Sequence, residues 1–273
     1  MKMSTDVSTE VSMNTEVSTP QKTKGRRKEP VLLDSRYSHD DTKTEVGVDE
    51  AGRGSFWGPL MAGAVEWVPR ENWNDEILEV SFQIKDSKKI SPKKRKIIAE
   101  NIKKYAVRWG IGVVSSAEID KNGITWANQE AFRRALGALS GPTPERVLID
   151  GILGIEPLGN EIVTIEDGDA KLINIAAASI IAKEAHDDWI IDYCNTNTEC
   201  VDKYDLLNCK GYGTLKHRQG LIAHGPHEHH RRCFIGRYIY SSNALEDESI
   251  NNNSILTNSN EETGNDDKCL ISI

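Results

Sequence analysis

Apolar positions fall into blocks between about residues 44 and 240, and their period changes from block to block as alternating strands and helices require. Val46 and Val48 recur at period two within residues 44–49, and residues 60–68 are apolar apart from Gly63 and Glu66. Both stretches predict strands, joined by a turn through Gly52, Gly54, Gly58 and Pro59. Ser91 followed by Pro92 marks a helix start, with Ile97, Ile98, Ile102 and Tyr105 assigned to one face. Residues 106–115 predict a strand, 125–139 a helix, 146–150 a short β-branched strand and 161–165 an alternating strand. Residues 173–193 read as a long helix whose first half (Ile-Ala-Ala-Ala-Ser-Ile-Ile-Ala) is small enough to press closely on a sheet. A shorter helix follows at 215–223. The order β-β-α-β-α-β-β-α points to an α/β protein with a mixed sheet and helices on its faces.

Hydrophobic residues make up 38% of the 273, and the polar excess sits at the two ends. Residues 1–43 are Ser/Thr-rich with Val-Ser-Thr near-repeats, and residues 242–273 are an acidic Asn/Ser-rich stretch. Neither can bury enough surface to offset its ordering entropy, so both are expected to be disordered tails around one domain at 44–241.

Charge argues at first against a nucleic-acid partner, because the formal net value is −8 and phosphates are bound by Lys and Arg. Residues 1–44 carry +1 and residues 242–273 carry −6, which leaves −3 for the stretch between. Residues 85–104 hold nine Lys and Arg against Asp86 and Glu100. Such a run is either a solvated helix face or a phosphate-binding patch. Cys194, Cys200, Cys209, Cys233 and Cys269 are odd in number and lack Cys-x-x-Cys spacing, as in a reduced, cytoplasmic or otherwise intracellular protein. No apolar run approaches the roughly 20 residues of a membrane span, so no membrane partner is expected. The basic run at 24–28 (Lys-Gly-Arg-Arg-Lys) suits a nuclear-import signal, a nucleic-acid arm or a merely solubilising tail.

Candidate chemistry comes from acids placed where a solvated charge would be odd. Asp49 and Glu50 end an apolar strand, Asp150 ends Val-Leu-Ile-Asp, and Asp187 lies on the long apolar helix. Two carboxylates about 4 Å apart repel by roughly 4 kcal/mol at an effective dielectric near 20, so a convergent set needs protons or cations. Hard divalent ions suit it. Taken singly, each acid is as well explained by a cap or a turn, and spacing alone does not establish convergence.

Several blocks together decide the matter. Val46-Gly-Val-Asp-Glu-Ala-Gly-Arg-Gly54 with Gly58-Pro59 resembles the opening motif of the ribonuclease HII family, the type 2 ribonucleases H. Asp86-Ser-Lys-Lys-Ile-Ser91, Glu118-Ile-Asp120, Leu148-Ile-Asp-Gly151, Gly168-Asp-Ala-Lys171, Ala176-Ala-Ala-Ser-Ile-Ile-Ala-Lys183, Gly211-Tyr-Gly-Thr214 and His230-Arg-Arg-Cys-Phe234 follow in family order.

The resemblance implies a ribonuclease H-like fold: a five-stranded mixed sheet flanked by helices, with a small C-terminal helical extension. It implies a two-metal site for Mg²⁺ or Mn²⁺ on Asp49, Glu50, Asp150 and Asp187, the last chosen over Asp188 by its distance from Lys183. It assigns Gly52, Arg53 and Gly54 to the ribonucleotide's 2′-hydroxyl and Tyr212 to the following deoxyribose, and it makes Lys88, Lys89 and Arg53 phosphate contacts. The implied activity is endonucleolytic cutting of the RNA strand of RNA:DNA hybrids and cutting 5′ of single ribonucleotides in duplex DNA, leaving 3′-hydroxyl and 5′-phosphate ends. The implied enzyme acts as a monomer, with a replication-factor contact through a tail left open. The rival reading is a catalytically weak hybrid-binding protein of the same fold, which would be expected to have lost a carboxylate.

Departures from the family pattern cluster near the first motif and the long helix. Ser55 stands where proline is expected, Phe56 and Trp57 are bulky, His186 replaces a common Arg, Glu184 adds charge, and Gly123 replaces a frequent Asn.

Overall fold

The computed structural model describes residues 32–157 and 159–240. Within them β1 (Glu45–Ala51), β2 (Leu60–Glu66), β3 (Arg108–Val114), β4 (Arg146–Asp150) and β5 (Glu161–Ile165) form one sheet in the order β3-β2-β1-β4-β5. β2 is antiparallel to β1 and β3, whereas β4 is parallel to β1 and β5. The mixed five-stranded sheet is therefore as expected. The helices are α1 (Asp75–Gln83), α2 (Pro92–Tyr105), α3 (Ser116–Asn122), α4 (Ile124–Gly137), α5 (Ile173–Thr196), α6 (Thr198–Tyr204), α7 (Leu206–Cys209), α8 (Leu215–His224) and α9 (Arg232–Tyr240).

Glycine and alanine set how closely the two main helices approach the sheet. A Cβ on Gly47 would collide with the α5 backbone at Asn174 and Ile175, and one on Gly63 would meet the Ala178 carbonyl. On the other face, a Cβ on Gly110 or Gly112 would strike the α4 carbonyls of Ala135 or Ala131. The core is accordingly divided. Val46, Val48, Ala62 and Val147 pack with Ala131 and Phe132 of α4, while Val65 packs with Ile98 and Ile102 of α2 and Ile180 of α5.

Two local expectations need correcting. Ile97 is 56% exposed, and the buried stripe of α2 consists of Arg95, Ile98, Ala99 and Ile102. These positions repeat at three and four residues, whereas Ile97 is turned about 100° away from Ile98. Residues 32–43, grouped above with the N-terminal tail, are joined to the domain. Leu33 is buried in the cluster containing Ile173, the Asp34 amide donates to the Lys171 carbonyl at 3.0 Å, and the Arg36 guanidinium donates to the carbonyls of Ser38, Asp41 and Lys43. Residues 1–31 and 241–273, including the basic run at 24–28 and Cys269, lie outside the described residues.

Gly123 has φ +83° and separates α3 from α4, so the departure from Asn falls where a side chain would be strained. Beyond α5, short helices α6 to α9 form the C-terminal helical part. The Asp120 carboxylate accepts from the amides of Arg232 (2.9 Å) and Cys233 (3.1 Å) and so caps α9 from a distant part of the chain. No helix among the described residues is long and apolar enough to cross a membrane.

Candidate active site

The carboxyl ends of the parallel neighbours β1 and β4 place Asp49, Glu50 and Asp150 at one cleft, together with Ala51, Gly52, Arg53, Gly54, Ser87, Lys88, Ser179, Lys183 and Tyr212. Asp49 and Glu50 are adjacent on a strand, so their side chains leave on opposite faces. Asp49 accepts from the Glu50 amide at 2.7 Å; Ser179 on α5 acts to lower the Asp49 carboxyl, and Asn128 on α4 acts to lower that of Glu50. Asp150 accepts from the amides of Gly168 (2.7 Å) and Asp169 (3.3 Å). Ser87 and Ser179 lie with their hydroxyls 3.0 Å apart, which ties the Asp86–Lys89 segment to α5 beside Asp49.

Electrostatics mark this end of the sheet as short of positive charge. Burial, then the charges of Glu50 and Asp150, hold the Asp49 carboxyl well above its ordinary range. Burial also raises Glu50, opposed by Arg53 and reinforced by Asp150. Asp169 is raised by burial and by the charges of Asp150 and Asp86.

Asp187 is treated differently. It is buried but does not line the cleft, and it receives Arg95 Nη2 at 2.9 Å, Lys183 Nζ at 2.7 Å and His186 Nδ1 at 3.2 Å. Burial acts to raise its carboxyl, but His186 and Lys183 outweigh it and the pKa is lowered. Its neighbour Asp188 is a surface acid paired with Lys96 at 3.2 Å. Lys88 reaches the cleft, whereas Lys89 pairs with Asp86 at 3.0 Å and does not line it.

The donor set suits a hard divalent cation in kind: three buried or half-buried carboxylates that repel one another and accept from neutral donors. It does not yet form a finished cage. Among the described residues no three His, Cys, Asp or Glu side chains stand close enough to hold a metal ion as placed. The structure thus brings three of the four expected acids to the cleft and keeps the fourth in ion pairs.

The turn at residues 52–55 is held from both sides. Gly52 has φ +82°, and the Ser55 amide donates to the Gly52 carbonyl at 3.2 Å, a closure that proline could not make. The fully buried Arg231 donates to the carbonyls of Arg53 (2.9 Å) and Gly58 (3.0 Å), and burial lowers its pKa to about 10. Phe56 and Trp57, the bulky departures, are buried against the C-terminal helices. Both of their amides donate to the Gly211 carbonyl, and Trp57 stacks on His227 at 4.7 Å.

The chain matches the family profile described as Ribonuclease HII over residues 46–241. The chain belongs to the ribonuclease HII family. A curated ribonuclease HII from Prochlorococcus marinus (strain NATL1A) is 40% identical over 199 residues, covering 72% of this chain and 97% of that one. The fold is similar to that in the PCNA:RNase HII complex from Archaeoglobus fulgidus (TM-score 0.56, 23% identity, 74% of this chain and 99% of that one). It is also similar to Bst-RNase HIII in complex with Mn²⁺ (TM-score 0.50, 18% identity, 76% and 69%). The ribonuclease H-like architecture and membership of an endoribonuclease family are thereby established.

Within this ribonuclease HII chain, sequence reasoning singled out the acids and the turn but not what holds them. Ser179, Asp169 and Arg231 stand inside family motifs with no pattern of their own to mark them, and Asn128 stands outside every motif. Asn128 did carry a signal: it is a polar residue on the buried stripe of α4 beside Ala127 and Ala131.

Proposed function

We propose that this protein hydrolyses the RNA strand of RNA:DNA hybrids and cuts 5′ of single ribonucleotides in duplex DNA, using Mg²⁺ or Mn²⁺ held by Asp49, Glu50 and Asp150, with Asp187 as the fourth ligand. The observation carrying this reading is that the three carboxylates share one cleft with the Gly52, Arg53 and Gly54 turn and with Tyr212. Absence of Cβ atoms at Gly52 and Gly54 lets the turn approach a sugar and distinguish its 2′-hydroxyl. Tyr212 packs on the following deoxyribose, Arg53 and Lys88 bind phosphates, and Lys89 contributes to the field around them. Ser179 and Asn128 orient Asp49 and Glu50. When bound, a pair of divalent ions supplies an activated water and a stabilised leaving oxygen. Water oxygen bonds to phosphorus as the bond from phosphorus to O3′ breaks, leaving a 3′-hydroxyl and a 5′-phosphate. The Mn²⁺ complex of the HIII relative supports the choice of ions.

We also infer that the domain spans 44–241 with residues 32–43 attached, that it acts as a monomer in a reducing, intracellular setting, and that a tail contacts a replication factor. The free thiols Cys194, Cys200, Cys209 and Cys233 support the setting, and the PCNA complex of the Archaeoglobus relative supports the contact. The rival reading, a weak hybrid-binding protein, is favoured by the ion pairs on Asp187.

A DNA duplex with one ribonucleotide, incubated with Mg²⁺ or Mn²⁺, separates the two. Cutting 5′ of the ribonucleotide is expected from the native protein and not from Asp49→Asn, which still binds. Binding without cutting by the native protein establishes the weak-binder reading instead.

A further inference from the structure

One buried ring touches three of the elements assigned to the reaction. His186 on α5 is fully buried; its Nε2 lies 3.4 Å from Ser55 Oγ and its Nδ1 lies 3.2 Å from Asp187 Oδ1. Its ring centroid is 6.0 Å from that of Tyr212, and a Cβ on Gly52 would collide with its Cδ2 and Nε2. The partners fix the direction of the chain of bonds. A carboxylate only accepts, so Nδ1 carries the hydrogen, and the unprotonated Nε2 accepts from the Ser55 hydroxyl. Ser55 is itself fully buried and does not line the cleft, so its hydroxyl has no path to a phosphodiester.

Ser55 and His186 are two departures from the family pattern, 131 positions apart, and they contact each other. Ser55 supplies both the amide that closes the turn and the hydroxyl that reaches the ring. On the far side, Arg231 fastens the same turn through the carbonyls of Arg53 and Gly58. Arg231 fixes the turn to the C-terminal helices, whereas His186 fixes it to the helix bearing Asp187.

We propose that His186 is a positioning residue which, through Ser55, locks the 52–55 turn to α5, the helix that bears Asp187, so that the element reading the sugar keeps one pose against that helix. The inference rests on the ribonuclease reading of the cleft given above. Its consequence is that ribose recognition depends on a side chain that touches neither sugar nor phosphate.

The two nitrogens can be separated by substitution. Asn at 186 places its amide near the Nδ1 position and releases Ser55, Gln places its amide near Nε2 and keeps Ser55, and Ser55→Ala removes the hydroxyl but retains the turn-closing amide. The readout is fluorescence anisotropy in EDTA of two labelled duplexes, one all-DNA and one carrying a single ribonucleotide, which needs no turnover. Ser55→Ala and His186→Asn are each expected to reduce the preference for the ribonucleotide duplex about tenfold, and the double variant no further. His186→Gln is expected to stay within about twofold of the native preference. Native-like preference in Ser55→Ala, or losses that multiply in the double variant, overturns the proposal. Should the His186 variants fail to fold, Ser55→Ala on the native ring decides alone. Equal binding of both duplexes by the native protein overturns the ribose reading itself, and this inference with it.

Discussion

At the N-terminal ends of β1 and β4, Arg146 lies opposite Glu45 and donates to Glu45 (2.6 Å), Asp41 (2.6 Å) and Glu161 (2.9 Å), while Lys43 adds a second bond to Glu161. At the C-terminal ends of the same two strands, Asp49 and Asp150 accept from backbone amides, and Ser179 and Asn128 are the neutral neighbours of Asp49 and Glu50. Both ends are acidic, and the same pair of strands presents both. At one end a guanidinium balances the acids within the protein; at the other the charges of Glu50 and Asp150 raise the Asp49 carboxyl, and that of Asp150 raises Glu50. On the proposed reading, the acids matched by Arg146 serve the architecture, whereas Asp49, Glu50 and Asp150 are left for a cation.

The comparison can be broken by removing one member from each end. Asp150→Asn keeps an acceptor for the Gly168 amide and loses the charge. Cleavage in Mg²⁺ is expected to fall by about a thousandfold, the rate equivalent of about 4 kcal/mol, while thermal unfolding shows no loss of stability. A variant that melts early would make Asp150 an architectural acid after all. Arg146→Met should do the reverse. Leaving Glu45 buried without its partner is expected to cost about 3–5 kcal/mol by denaturant unfolding, with kcat unchanged well below the melting temperature.

A smaller effect sharpens the contrast through pH. Arg146 and Lys43 lower the carboxyls of Asp41 and Glu161. A lowered pKa means the folded state binds fewer protons than the unfolded chain. The stability from these pairs is therefore present above the unfolded values of about 4 and lost as pH falls through the folded ones. The acid limb of melting temperature against pH, recorded below about pH 4.5, should be shallower in Arg146→Met than in the native protein. Parallel limbs would remove Arg146 from the account of this end.

The regular elements were legible because their patterns are local. Residues 146–150 and 161–165 are strands as expected, and α5 begins at Ile173. Helix α1 was missed because it buries only Ile77, Val80 and Ser81 and its cap is the single Asn74 side chain. Helix α9 was missed because its amides are capped by Asp120, more than a hundred residues earlier. Asp49 and Glu50 were readable as acids ending an apolar strand within a family motif. That Asp187 would be paired with Arg95 was not, since Arg95 lay within a run of lysines resembling a solvated surface. The run is in fact divided, with Lys88 at the cleft, Arg95 buried and Lys96 in a surface pair.

The glycines of β1 and β2 have a meaning beyond packing. Because Gly47 and Gly63 bring the α5 backbone onto the sheet, the separation between the acids of β1 and the serine and acid of α5 is gauged by two missing methyl groups. Restoring either would push the helix outward and carry Ser179 and Asp187 with it, on a scale where a shift of about 1 Å is enough to cost a hundredfold in rate. The spacing around Asp49 is thus set by one glycine two residues upstream on its own strand and another paired with it on β2, through hydrogen atoms that never meet a substrate.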